Sequence, residues 1–252
     1  MTHWILILLV PVIVGFVTAS IKSYIDRIFL VMLSVFFLKM PLPKAIVINL
    51  VVMLLSSSFF YARHEAKISG LSAATLWNLV PGSIVGAVFG RWLALSYPGA
   101  LAAILGLYAA GVGLRLLLVK IGPPQEPAQP GGELNLITGT FGLLTGLIST
   151  GGKAFKVPLL VKALKVHPNQ AYLLASVATM SATGAALLVQ LIMAPGFFAG
   201  STLAWAIYFF LAITVVAMIV ERFWTTRLQM WVSYLISPLL LLAGIRLLST
   251  YF

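Results

Sequence analysis

The chain has 252 residues, 61% of them hydrophobic and 8% charged, with a mean hydropathy of +1.08. A soluble globular domain carries about 25% charged residues, so this composition excludes one and specifies a multi-pass membrane protein. Sixteen Lys and Arg against five Asp and Glu give a formal net charge of +11, but the cations are scattered over short loops and segment ends, which excludes a nucleic-acid patch and fits topology signals and lipid-headgroup contacts.

The N-terminus, Met1 to Trp4 followed by an apolar run, lacks the basic region and cleavage site of a signal peptide and reads as a retained first membrane segment. Apolar runs then follow in order: Trp4 to Ala19, Ile28 to Leu38, Ala45 to Tyr61, Leu71 to Leu95 and Ala100 to Val119. After them comes a polar, Pro- and Gly-rich stretch over 120–133 that cannot be a membrane helix. The second series is Leu134 to Ile148, Val157 to Leu164, Ala171 to Met193, Thr202 to Val220 and Met230 to Leu248. The rhythm predicts an all-α polytopic protein of two structural repeats, 1–119 and 134–252, joined by the 120–133 connector. Each repeat opens with a broken helix, and the whole has roughly eight to ten membrane segments. Aromatic residues near the segment ends, such as Trp4, Tyr61, Trp92, Tyr97 and Trp224, are interfacial anchors.

Ile28 to Leu38 and Val157 to Leu164 are too short to cross a hydrocarbon core, which takes about 20 helical residues. They read as half-helices after breaks. The first break passes through Ala19, Ser20, Ile21, Lys22, Asp26 and Arg27; the second through Ser149, Thr150, Gly151, Gly152, Lys153, Phe155, Lys156 and Pro158. A bilayer tolerates unwound backbone only where protein or a water-filled cavity satisfies it, so a duplicated break points to a substrate pathway. If both short pieces are crossings, Lys22, Arg27, Arg63, Lys67, Lys120, Lys162, Lys165, Arg222 and Arg227 share one side, the cytoplasmic one, which favours inverted halves.

In the second break, Gly151 and Gly152 let backbone approach a ligand, and a half-helix starting there aims its free N–H groups into the gap beside Thr150. Lys153 adds a full charge and up to three donors for an oxyanion, with Lys156 one turn on; the competing reading is that both lysines reach an interface while the glycines serve packing. In the first break Lys22 or Arg27 would contact the anion and Asp26 would exchange a proton, although Lys22 and Asp26 at i, i+4 could instead form an internal ion pair. Ser176, Thr179, Thr183 and Gln190 recur on one helical face, and Asn49 and Ser56 are likewise seven apart; these are pathway candidates that packing alone could also explain. Gly82, Gly86 and Gly90, and Gly106 to Gly113, read as seams for close helix approach. Glu221 and Arg222 read as a loop ion pair, His167 as interfacial, and His64, Glu65 and Lys67 as a solvated loop.

The order of these features resembles the sulfite exporter TauE/SafE family of membrane transporters. The resemblance rests on Gly142-x-x-x-Gly146, on Thr150-Gly151-Gly152 leading through Lys153 to Val157-Pro158-Leu159-Leu160, and on Pro168, Ala171 and Ser176 opening the next helix. In the first half it rests on Gly82, Gly86 and Gly90 and on Tyr61-x-Arg63; the first break differs in having no glycine after Gly15. The resemblance implies a secondary transporter, an exporter of a small anion such as sulfite, thiosulfate or an organosulfonate, working by alternating access in the cell membrane. The expected substrate-binding residues are Lys153, Gly151, Gly152, Thr150, Lys22, Lys156, Arg27, Ser176, Thr179 and Asn49, with Asp26 coupling to protons. Partners are the small anion and membrane lipids, with homo-oligomerisation left open, and no metal or cofactor is expected. The alternatives are an anion channel and an intramembrane lipid-modifying enzyme. The latter would need an acid cluster, or a His or Cys beside a nucleophile, at membrane depth; the chain has no cysteine and shows no such grouping.

Overall fold

The computed structural model describes residues 2–20, 28–64, 73–118, 133–164, 166–198, 200–223 and 226–249. Among them there are ten α-helices and no strand. In chain order these are α1 (Thr2–Ser20), α2 (Ile28–Phe36), α3 (Leu42–His64), α4 (Ala73–Ser96), α5 (Leu101–Leu118), α6 (Glu133–Ile148), α7 (Lys153–Leu164), α8 (Pro168–Met193), α9 (Gly200–Phe223) and α10 (Thr226–Ser249). Each apolar run predicted from the sequence is a helix. Several helices outlast their apolar runs because polar and charged residues at the ends, such as Lys44, Arg63, Lys153 and Arg222, continue the helical backbone, whereas α2 stops at Phe36, two residues before its run.

Among the described residues, five segments are long and apolar enough to cross a membrane: Leu42–Arg63, Trp77–Ser96, Pro98–Leu118, Gln170–Met193 and Gly200–Phe223. The second and seventh helices are short, at 9 and 12 residues, as the half-helix reading expects. Prolines mark the helix starts where a missing N–H costs nothing: Pro43 lies in the first turn of α3 and Pro168 opens α8, with the His167 carbonyl accepting from Gln170 and Ala171. The connector residues 120–132 lie outside the described residues.

Lipid-compatible helices gain little from burying apolar surface against one another, so close packing of small residues has to hold them together. Gly82, Gly86 and Gly90 of α4 face Asn135, Gly139 and Leu143 of α6, while Gly142 and Gly146 of α6 face Ser83 and Ala87 of α4. The same device joins α5 to α10 through Gly106 and Gly244, and Gly15 of α1 sits against Ile213 and Val216 of α9. Both glycine seams expected from the sequence are therefore helix contacts. Helix α9 shows the resulting two-sidedness: Thr202, Ala206, Phe209 and Ile213 are buried, while Leu203, Ile207, Leu211 and Val215 face outward. Glu221 and Arg222 belong to the last turn of α9 and not to a loop, and Glu221 pairs with Arg63 of α3 at 3.6 Å. An ion pair at the ends of two spans stays near the aqueous boundary, where its desolvation cost is small.

Candidate functional site

Helix α6 stops at Ile148 and α7 starts at Lys153, leaving Ser149, Thr150, Gly151 and Gly152 as buried, unwound backbone between α3 and α8. Ser149 has φ 52° and Gly152 has φ 66°. At Gly152 only a residue without Cβ is at ease, because a Cβ there would strike the Phe141 ring. Ser149 pays for the left-handed conformation, and the strain persists because its surroundings hold it. Asn49 of α3 donates from Nδ2 to the Ser149 carbonyl at 2.7 Å and to its hydroxyl at 3.1 Å. Thr145 of α6 donates its hydroxyl to Thr150 O at 2.8 Å, and the Gly152 carbonyl accepts from Phe155 and Lys156 at 3.0 and 2.7 Å to start α7.

The first turn of α7 presents two lysines to α8. Lys153 donates to the Ser176 hydroxyl at 3.1 Å and lies 4.3 Å from the centroid of the Tyr172 ring. Lys156 donates to the Thr179 hydroxyl at 2.8 Å and is 1% exposed. Burial of Lys156 rules out the snorkelling alternative for it, since its ammonium ends on a buried hydroxyl. On the opposite side, Phe155 packs edge-on to Tyr108 and under Arg115 of α5, so α7 is clamped between α5 and α8. Among the described residues, three buried side-chain atoms have no hydrogen-bond partner: Asn49 Oδ1 and Thr150 Oγ1 at this break, and Ser34 Oγ of α2. Unsatisfied polar atoms inside a fold are uncommon, and two of these three share the break.

Of the residues singled out in the sequence, Thr150, Gly151, Gly152, Lys153, Lys156, Ser176, Thr179 and Asn49 gather at this break. Thr183, like Ser176 and Thr179, bonds back to a carbonyl one turn earlier, that of Thr179 at 2.8 Å, as hydroxyls in membrane helices commonly do. Lys22, Asp26 and Arg27 lie outside the described residues. Arg91 of α4 is a buried cation that the sequence reading passed over. It is 2% exposed, donates from Nε to Gln190 Oε1 at 2.6 Å and from a terminal nitrogen to the same oxygen, and reaches Gly146 O at 3.5 Å. Gly146 lies in the last turn of α6, where carbonyls carry partial negative charge that favours a cation. The available signal was a lone charge directly after Gly90, inside a span otherwise free of charge.

The model of the family described as sulfite exporter TauE/SafE matches residues 7–247, nearly the whole chain. The chain belongs to this family. Its members are membrane transporters of sulfur anions rather than enzymes, and the helical spans agree with a protein embedded in a membrane. No curated protein and no solved structure matches the chain.

Proposed function

We propose that this TauE/SafE protein is a secondary transporter that exports a small sulfur oxyanion, sulfite or an organosulfonate, across the cell membrane. The observation that carries the reading is the buried Lys156 ammonium in the first turn of α7, beside a break with two unpartnered polar atoms. An anion entering the break would meet the N-terminal end of α7, the Lys153 and Lys156 ammoniums and the Thr150 hydroxyl, four groups that favour negative charge. Membrane helices rarely bury a cation without such a purpose.

Alternating access is supported by the order and packing of the helices. The first five and the second five each run long, short, long, long, long; α4 packs on α6 as α9 packs on α1, and α3 on α8 and α5 on α10 each join one half to the other. This supports two repeats, 1–119 and 134–252, that rock about a central site. Lys22 and Arg27 of the first break would then complete the cationic lining, with lipids covering the outward helix faces. Saturable flux with counterflow of labelled sulfite in proteoliposomes tests the reading. Flux that rises linearly with concentration and shows no counterflow would identify a channel instead.

A further inference from the structure

The orientation of the Asn49 amide is fixed by its neighbour. One end of the amide lies 2.7 Å from the Ser149 carbonyl oxygen, which can only accept, so that end must be the nitrogen. The same nitrogen reaches Ser149 Oγ and Met53 Sδ, the latter at 3.6 Å. Oδ1 is thereby left as an obligate acceptor, buried, with no donor among the described residues. Thr150 Oγ1, in the same break, is also without a partner there and can donate. A ligand that satisfies both atoms must bring a hydrogen to Asn49; the Thr150 hydroxyl can donate or accept, and to an anion it donates.

A fully deprotonated oxyanion offers only lone pairs and would set one of its oxygens against Asn49 Oδ1. An oxyanion that keeps one proton satisfies both atoms. We propose that the break binds the monoprotonated form of its anion, hydrogensulfite in preference to the sulfite dianion, with the O–H donated to Asn49 Oδ1 and a charged oxygen accepting from Thr150. This rests on the anion-carrier reading above. It makes the proton travel on the substrate. Among the described residues the only carboxylates, Glu133 and Glu221, lie at the ends of α6 and α9, away from the middle of any span.

The test is calorimetric binding to the purified full-length protein in nanodiscs, between about pH 6 and pH 8, with sulfite, methanesulfonate (a monoanion without a donor) and thiosulfate (a dianion without a donor). Among the described residues, the charged and titratable side chains packed around the break are Lys153 and Lys156 on α7, Tyr172 on α8, Arg91 on α4 and, across Phe155, Tyr108 and Arg115 on α5. Methanesulfonate meets the same groups, so its pH profile subtracts their titration. Apparent affinity for sulfite is expected to fall about tenfold per pH unit once hydrogensulfite is depleted, because one proton is bound with the ligand. The other two anions should bind more weakly and with a flat profile. In Asn49→Ala, sulfite should drop to the affinity of methanesulfonate, and the wild-type pH series decides the matter if that variant does not fold. Equal, pH-independent binding of sulfite and methanesulfonate would overturn the protonated-ligand proposal and leave the anion site standing. A requirement for sodium with a flat pH profile would also overturn it, assigning a cation to Asn49 Oδ1. Binding of none of the three anions would overturn the carrier reading together with it.

Discussion

The Lys156 ammonium donates to the Thr179 hydroxyl at 2.8 Å, with both side chains almost completely shielded from solvent. One turn earlier Lys153 makes the same kind of contact with Ser176, but half-buried and backed by an aromatic ring. Depth separates the two. A charge in a water-poor site attracts an anion more strongly than one screened by solvent.

Lys156→Met should therefore lower sulfite flux by about 10- to 100-fold, the loss of one charge-assisted hydrogen bond of about 1.5–3 kcal/mol. Methionine keeps the volume of the lysine stem, and removing a buried charge spares its desolvation, so the melting temperature should hold or rise. Lys153→Met should cost only about two- to fivefold, the scale of an exposed cation–π contact. Initial rates in proteoliposomes, with melting temperature as the folding control, check this order. A larger loss at Lys153 would restore the ranking that the sequence suggests.

The α4–α6 seam gives a prediction about stability from two glycines four residues or less from each other's partners. A Cβ at Gly86 would overlap the Gly139 carbonyl and lie 2.8 Å from Leu143 N, backbone atoms that cannot step aside. At Gly139 the nearest atom to a Cβ is Gly82 O at 3.6 Å, ordinary contact. Gly86→Ala is expected to lose the folded protein, as measured by monodisperse yield after solubilisation. Gly139→Ala should be recovered near wild-type yield, since it also removes the flexibility of a helical glycine.

Apolar runs, small-residue spacing and the second break were legible in the sequence because membrane solvent leaves few alternatives: a helix must satisfy its own backbone, and only small residues let helices touch; the first break lies outside the described residues. Gly82, Gly86 and Gly90 show both rules in one helix. Depth was not legible. The sequence puts Lys153, next to the glycines, ahead of Lys156, and only the crossing of α7 with α8 decides which ammonium is sealed. Arg91 escaped notice for a related reason: its partners, Gln190 and the Gly146 carbonyl, come from α8 and α6, so no local pattern announces them.

Arg91 and Gln190 should behave as a unit. Gln190→Leu strands a buried guanidinium and is expected to destabilise by about 3 kcal/mol or more. Arg91→Met leaves the neutral amide with its bond to Ala194 O at 3.1 Å and should cost less. The double variant should be markedly more stable than the sum of the two, with a coupling of about 1–3 kcal/mol in denaturant unfolding. Additive effects would mean that the guanidinium is held chiefly by the α6 carbonyl end.

Gly152→Ala combines two penalties that a second substitution can separate. The left-handed backbone, φ 66°, costs an L-residue about 1–2 kcal/mol wherever it occurs. The clash of the new methyl with the Phe141 ring, whose Cγ would lie 2.8 Å away, adds to it. Gly152→Ala should therefore abolish transport and lower the melting temperature, because α6 and α7 would no longer meet at the angle that buries Thr150. Phe141→Ala in the same protein opens space for the methyl but leaves the dihedral strained. Relative to Phe141→Ala alone, adding Gly152→Ala should then cost only the backbone share, about 1–2 kcal/mol. If the second substitution costs as much in the Phe141→Ala background as in the wild type, backbone strain and not the ring governs the glycine, and Gly152→Asn, which tolerates the left-handed region, should fare better than Gly152→Ala in either background.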